Sequence, residues 1–135
     1  MNKEYIYELE LEVRDYECDL QGIVNNSVYQ NYLEHARHKF LHAIGLDFAD
    51  LFAKGIKTVV AKVEINYKQS LLPSDKFVVR INCVKEGIKY VFYQDIYRKS
   101  DNKLCIVGKV TAVCVINGRL GDSDELMKAI ENYKK

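Results

Sequence analysis

The sequence predicts an α+β domain with five mainly antiparallel strands and one long helix, and three observations support this. Segments 5–14, 58–68 and 76–85 alternate apolar and polar residues with a period of two, as strands with one wet face do. Between the first two of these, Tyr29, Tyr32, Leu33, Ala36, Phe40 and Ile44 recur at helical spacing. After the helix, four strand-like segments follow one another through short turns, which is how a meander is built.

The first strand, 5–14, sets Tyr5, Tyr7, Leu9, Leu11 and Val13 against Glu8, Glu10, Glu12 and Arg14. At about 100° per residue, the helical stripe stays within about 60° of Tyr29, so it reads as one core-facing side. The helix is expected to start near Asn25 to Ser27 and to stop at Gly45, with DFADLFAKG adding a turn or two before Gly55. Segment 58–68 puts Val59, Ala61, Val63, Ile65 and Tyr67 opposite Lys62, Glu64, Asn66 and Lys68. In the loop SLLPSD, Pro73 is incompatible with a central strand position. Strand 76–85 turns inward Phe77, Val79, Ile81 and Cys83, and a turn at Glu86-Gly87 leads into 88–98. A turn at Ser100-Asp101-Asn102 precedes 104–116, which is apolar at almost every residue and therefore expected to be central and covered on both faces. Asn117-Gly118 ends that strand, and Asp122-x-x-Glu125 resembles a capping box opening a short C-terminal helix.

With 135 residues, one proline and no repeat, the chain reads as a single domain, 1–135, long enough to build a core without disulfides. Its net charge of +1 gives no nucleic-acid footprint. No apolar run reaches the roughly 18 residues a membrane helix needs. The start, MNKEYIYELELE, is too acidic and too evenly alternating for a signal peptide. Cys18, Cys83, Cys105 and Cys114 form no CxxC, so reduced thiols and a cytoplasmic location are expected.

Chemistry-bearing motifs are few. His35, His38 and His42 share one side of the helix opposite the apolar stripe; lacking HExxH or cysteine ligands, they are expected to form a solvated or subunit-contact face, not a metal site. Neither GxSxG nor a Walker-type loop is present. The remaining candidate is DYECDLQGIVNNSVYQNYLEHAR, residues 15–37. Asp19 stands between the first strand and a helix N-terminus, where free amides and the helix dipole favour negative charge. An amide there can stabilise the oxyanion of an attacked carbonyl, and a nearby carboxylate can act as nucleophile or general base. Gly22 lets backbone pass close to a substrate. Read locally, the same residues are a turn-forming Asp19 and an N-cap at Asn25 or Asn26.

The register of Asp19, Gly22, Tyr29, Glu34 and Arg37 resembles the acyl-CoA thioesterases of the hotdog fold, the 4-hydroxybenzoyl-CoA thioesterase group. The resemblance covers nearly the whole chain and implies a sheet wrapped around one long helix. It implies hydrolysis of a thioester to free acid and coenzyme A, with Asp19 attacking the carbonyl or activating water and the Asn26 backbone N–H holding the carbonyl oxygen. Many members carry histidine where this chain has Asn26, whose side chain cannot shuttle a proton. Gly22, Ile23, Val24, Asn25 and Tyr29 are the implied substrate-binding stretch, with Glu34 at the subunit contact or site. Lys62, on an edge strand, and Lys89 and Tyr90, where the next hairpin returns, are further candidates for the substrate. The implied partners are an acyl-CoA or acyl carrier protein thioester and further copies of the chain, as a homodimer or homotetramer with sites at the interface. No cofactor is implied beyond the coenzyme A of the substrate. The same fold also serves as a non-catalytic acyl-thioester binding or regulatory module, which is the alternative reading.

Overall fold

The computed structural model describes residues 4–134. Strand β1 (Tyr7–Glu12) leads through a 3₁₀ turn (Asp15–Glu17) to the long helix α1 (Asn26–Ala43) and the short α2 (Phe48–Ala53). Strands β2 (Ile56–Tyr67), β3 (Lys76–Glu86), β4 (Lys89–Arg98) and β5 (Leu104–Ile116) follow, then a small β6 (Arg119–Gly121) and α3 (Glu125–Lys134). The sheet is antiparallel with order β1-β3-β4-β5-β2, and β6 pairs with β5. It curls around α1 in the hotdog arrangement that the resemblance implies.

Helix and sheet meet through the predicted stripe. Tyr29, Tyr32, Leu33, Ala36 and Phe40 are all buried, joined by Arg37 and Leu41. Phe40 is the hub, with its ring 5.5 Å from that of Tyr7 on β1 and 6.4 Å from those of Phe92 on β4 and Tyr133 on α3. Gly108 permits the close seat: a Cβ there would stand 2.6 Å from the Gln94 carbonyl oxygen and 2.9 Å from Leu33 Cδ1.

Several local expectations change. Strand β5 lies inside the sheet between β4 and β2, but its two faces are unequally covered: Ile106, Gly108, Val110 and Ala112 are buried while Val107, Lys109 and Val113 stay half-exposed. Its continuous apolar run reflects β-branched packing on both sides of the pleat, not two covering layers. Strand β2 carries a bulge between Val60 and Lys62, opposite Ala112 and Thr111. One extra residue inverts the alternation. Thr58, Val60, Val63 and Ile65 therefore share the helix-facing side, and Val59 and Ala61 leave it. Tyr5 also departs from its predicted face. A bend at Ile6 carries it to the outer side of the sheet, where its hydroxyl donates to Asp95 Oδ2 at 2.6 Å and lies 2.9 Å from the Tyr97 hydroxyl.

Asn117-Gly118 does not merely end β5. Both residues take positive φ, 51° and 81°, and form the two-residue hairpin into β6. Asp122 is not the cap of α3, because its carboxylate pairs with Lys85 across to β3. Ser123 Oγ takes over the capping, accepting the Glu125 N–H at 3.3 Å.

Candidate active site

A short loop hairpin between the 3₁₀ turn and α1 carries the site. Cys18 and Val24 form an isolated antiparallel bridge. Within it the Asp19 N–H donates to the Ile23 carbonyl (2.9 Å) and the Gly22 N–H to the Asp19 carbonyl (3.0 Å). Gly22 has φ 77°, which a residue with a side chain adopts only with strain. The Asp19 carboxylate is exposed, and Oδ1 accepts the Gln21 N–H at 2.8 Å. The local reading, Asp19 as turn former, is thus fulfilled through one carboxylate oxygen.

Asn25 is the N-cap of α1. Its Oδ1 accepts the Ser27 N–H at 3.1 Å, and its carbonyl accepts the Val28 N–H at 2.9 Å. Asn26 is the first helical residue, so its N–H has no acceptor inside the helix. Among the described residues no hydrogen bond uses it. An exposed helix-terminal donor and an exposed carboxylate therefore flank one bridged pair, Asp19 just after Cys18 and Asn26 two residues past Val24.

What holds this geometry lies elsewhere in the chain. The buried Tyr29 oxygen accepts the Leu71 N–H at 2.9 Å, and the Leu71 carbonyl accepts the Val24 N–H at 3.0 Å. The Glu17 carbonyl accepts the Asn25 N–H at 3.0 Å, while Glu17 Oε1 takes the Tyr32 hydroxyl at 2.7 Å. Burial, reinforced by Glu17, pushes the Tyr32 phenol well above its ordinary range, so it remains a donor. The Tyr67 hydroxyl lies 3.4 Å from the Asn26 carbonyl. Cys18, next to Asp19, is a free thiol that burial and then Asp15 and Asp19 push upward, which keeps it protonated. Leu71 and Glu17 carried no sequence signal, and Tyr32 and Tyr67 signalled only a helix stripe and a strand face, because each supports the loop across a tertiary contact and not within a local motif.

The structure brings Asp19, Gly22, Ile23, Val24, Asn25 and Asn26 together. Ile23 is half-buried, and Val24 and Tyr29 belong to the core at 1% and 2% exposure. Tyr29 therefore acts on the loop from beneath. Tyr29→Phe leaves the buried Leu71 N–H without its acceptor and is expected to cost about 1–3 kcal/mol. A matching drop in melting temperature, followed by circular dichroism, checks this. The other candidates lie apart from Asp19 within one chain. Lys62 is exposed on the β2 edge, 3.6 Å from Glu64. Lys89 and Tyr90 start β4 opposite Val113 and Ala112, whereas Tyr67, beside the site, pairs with Ile106 at the other end of β5. Tyr90 is fully buried and its hydroxyl donates to the Ser123 carbonyl, which occupies it structurally. Glu34 is half-exposed on α1, its Oε1 4.0 Å from His38 Nε2. His35, His38 and His42 line the outer side of the helix, and burial, then Arg37, lowers the His38 pKa.

Residues 13–131 match the thioesterase-like superfamily. The chain belongs to that superfamily. Among thioesterase relatives, it is 34% identical over 97 residues to the Arabidopsis thaliana chloroplast acyl-acyl carrier protein thioesterase ATL3, covering 72% of this chain and 51% of that one. With ATL2 of the same plant the identity is 35% over 114 residues, covering 82% and 60%. The chain thus spans about half to three fifths of these thioesterases. Among solved structures, the probable thioesterase YbaW of Escherichia coli superposes with a TM-score of 0.80 at 26% identity, covering 95% of this chain and 98% of that one. No described helix is long and apolar enough to cross a membrane.

Proposed function

We propose that this thioesterase-superfamily chain hydrolyses an acyl thioester, of coenzyme A or of acyl carrier protein, with Asp19 as the reacting carboxylate. The observation that carries the reading is the unused Asn26 N–H at the start of α1, two residues past the Cys18–Val24 bridge that encloses Asp19. A thioester oxygen placed on that N–H gains a donor that strengthens as the carbonyl becomes an oxyanion. Asp19 then either attacks the carbonyl carbon, forming an acyl anhydride and releasing the thiolate before water cleaves the anhydride, or takes a proton from a water that attacks directly. Both routes yield the free acid and the thiol. Asn26 contributes its backbone; its side-chain amide can hydrogen-bond to the acyl group but cannot carry a proton.

The site is open in one chain, and β2, twelve residues long, pairs among the described residues with β5 alone. Its exposed edge carries Val59 and Val60. Pairing of two β2 edges in a homodimer would continue the sheet and cover this face. The free thiols of Cys18, Cys83, Cys105 and Cys114 suit the reducing cytoplasm.

The test is thiol release from a panel of coenzyme A and acyl carrier protein thioesters with short aliphatic, long aliphatic and aromatic acyl groups. Turnover of at least one class is expected. Saturable binding without thiol release would make the chain a binding module instead.

A further inference from the structure

Arg37 is a buried cation with no close ion pair among the described residues. It is 9% exposed, and burial lowers its pKa while Glu34 opposes the shift. Nη1 donates to the neutral Gln94 Oε1 at 3.0 Å, and Gln94 is fixed in turn by its bond to the Leu33 carbonyl at 2.7 Å. No carboxylate of the described residues forms an ion pair with Arg37. A buried cation without a counter-charge is costly to keep. The guanidinium instead lines a groove of about 170 Å³ between α1 and β2, walled by Gln30, Glu34, Val60 and Val63. The groove therefore offers an anion a way to Arg37.

The layout of the groove is self-complementary. Helix α1 runs opposite to β2: the Asn26 carbonyl lies by Tyr67, Gln30 to Arg37 face Val63 and Val60, and Leu41 lies with Ile56 and Thr58. If two β2 strands pair antiparallel over their full length, the two-fold axis falls at the strand's middle, between Ala61 and Lys62. The groove sets Gln30, Glu34 and Arg37 of each helix against Val60 and Val63, on either side of that axis. A two-fold contact is reciprocal, and it reverses one helix against the other. Glu34 of each copy then meets Arg37 of the other, and Gln30 meets Leu41. A small mobile anion is a poorer occupant, because Glu34 on the groove wall repels it.

We propose that Glu34 of a second copy enters the groove and neutralises Arg37, so that two reciprocal Glu34–Arg37 pairs lock the dimer. This rests on the β2-paired dimer of the preceding reading. Two acids and two bases at the axis also set the register, since sliding either strand by two residues separates both pairs.

Sedimentation equilibrium on the full chain tests it. Glu34 is half-exposed, so Glu34→Arg is expected to keep the parent's circular dichroism and melting profile below the dimer contribution. Its dimer dissociation constant is expected to rise at least about thirtyfold, as loss of a buried interfacial charge partner does. Glu34→Gln is expected to show a smaller rise of the same sign. Mixing Glu34→Arg with Arg37→Glu chains rebuilds both pairs and is expected to recover the dimer; where Arg37→Glu fails to fold, the ordering of Glu34→Gln and Glu34→Arg decides. An unchanged dissociation constant in Glu34→Arg overturns the pair while leaving the dimer standing. A parent chain that is monomeric at all concentrations overturns the dimer itself.

Discussion

Asp19→Asn is expected to lower the turnover number for thioester hydrolysis by at least about a hundredfold, the lower end of what a positioned acid–base group contributes. The substitution is well placed to separate chemistry from folding. The Asp19 side chain is exposed and its one structural duty, accepting the Gln21 N–H through Oδ1, is one that an asparagine oxygen also performs. The melting temperature should therefore stay with the parent, as for surface changes that break no buried contact. KM should change little, because in the proposed mechanism the carboxylate acts on the reacting carbon and does not hold the acyl chain or the coenzyme. A variant that turns over as fast as the parent at an unchanged melting temperature removes Asp19 from the mechanism.

Phe40→Ala is expected to have the largest effect on stability, about 3–5 kcal/mol. Phe40 is fully buried and touches β1, β4 and α3 through Tyr7, Phe92 and Tyr133. Removing the ring leaves a cavity where four elements meet, and the stiff curled sheet cannot collapse into it. Against a total of about 5–15 kcal/mol for a domain, that is a large share. Thermal unfolding followed by circular dichroism should show a midpoint lower by on the order of 10 °C or more. If the midpoint moves by only a degree or two, the aromatic hub does not hold the helix in the sheet.

Period-two and helical patterns made the strands and α1 legible because burial of one face dictates them. Patterns fail where one residue changes the count. The bulge by Val60 and the bend at Ile6 each flip the face of everything beyond them, and neither has a glycine or proline to announce it. Asp122 reads as a cap in sequence but is drawn to Lys85, a partner 37 positions away that no local motif reveals. The candidate loop was visible for the opposite reason: Asp19, Gly22, Asn25 and Asn26 are neighbours in the chain, so their geometry is local. Beneath them, the Leu71 and Glu17 carbonyls accept the Val24 and Asn25 N–H groups through the backbone, a duty that side-chain identity does not reveal.

The Tyr29–Leu71–Val24 relay makes the placement of the helix-terminal amide answerable to the loop between β2 and β3. That loop does not have to touch a substrate to alter how one is handled. A shortened or lengthened 70–75 segment would shift the Asn26 donor against Asp19 without a substitution in either residue. Selection for new substrates could thus act on a peripheral loop, and the reactive stretch could stay constant while specificity drifts.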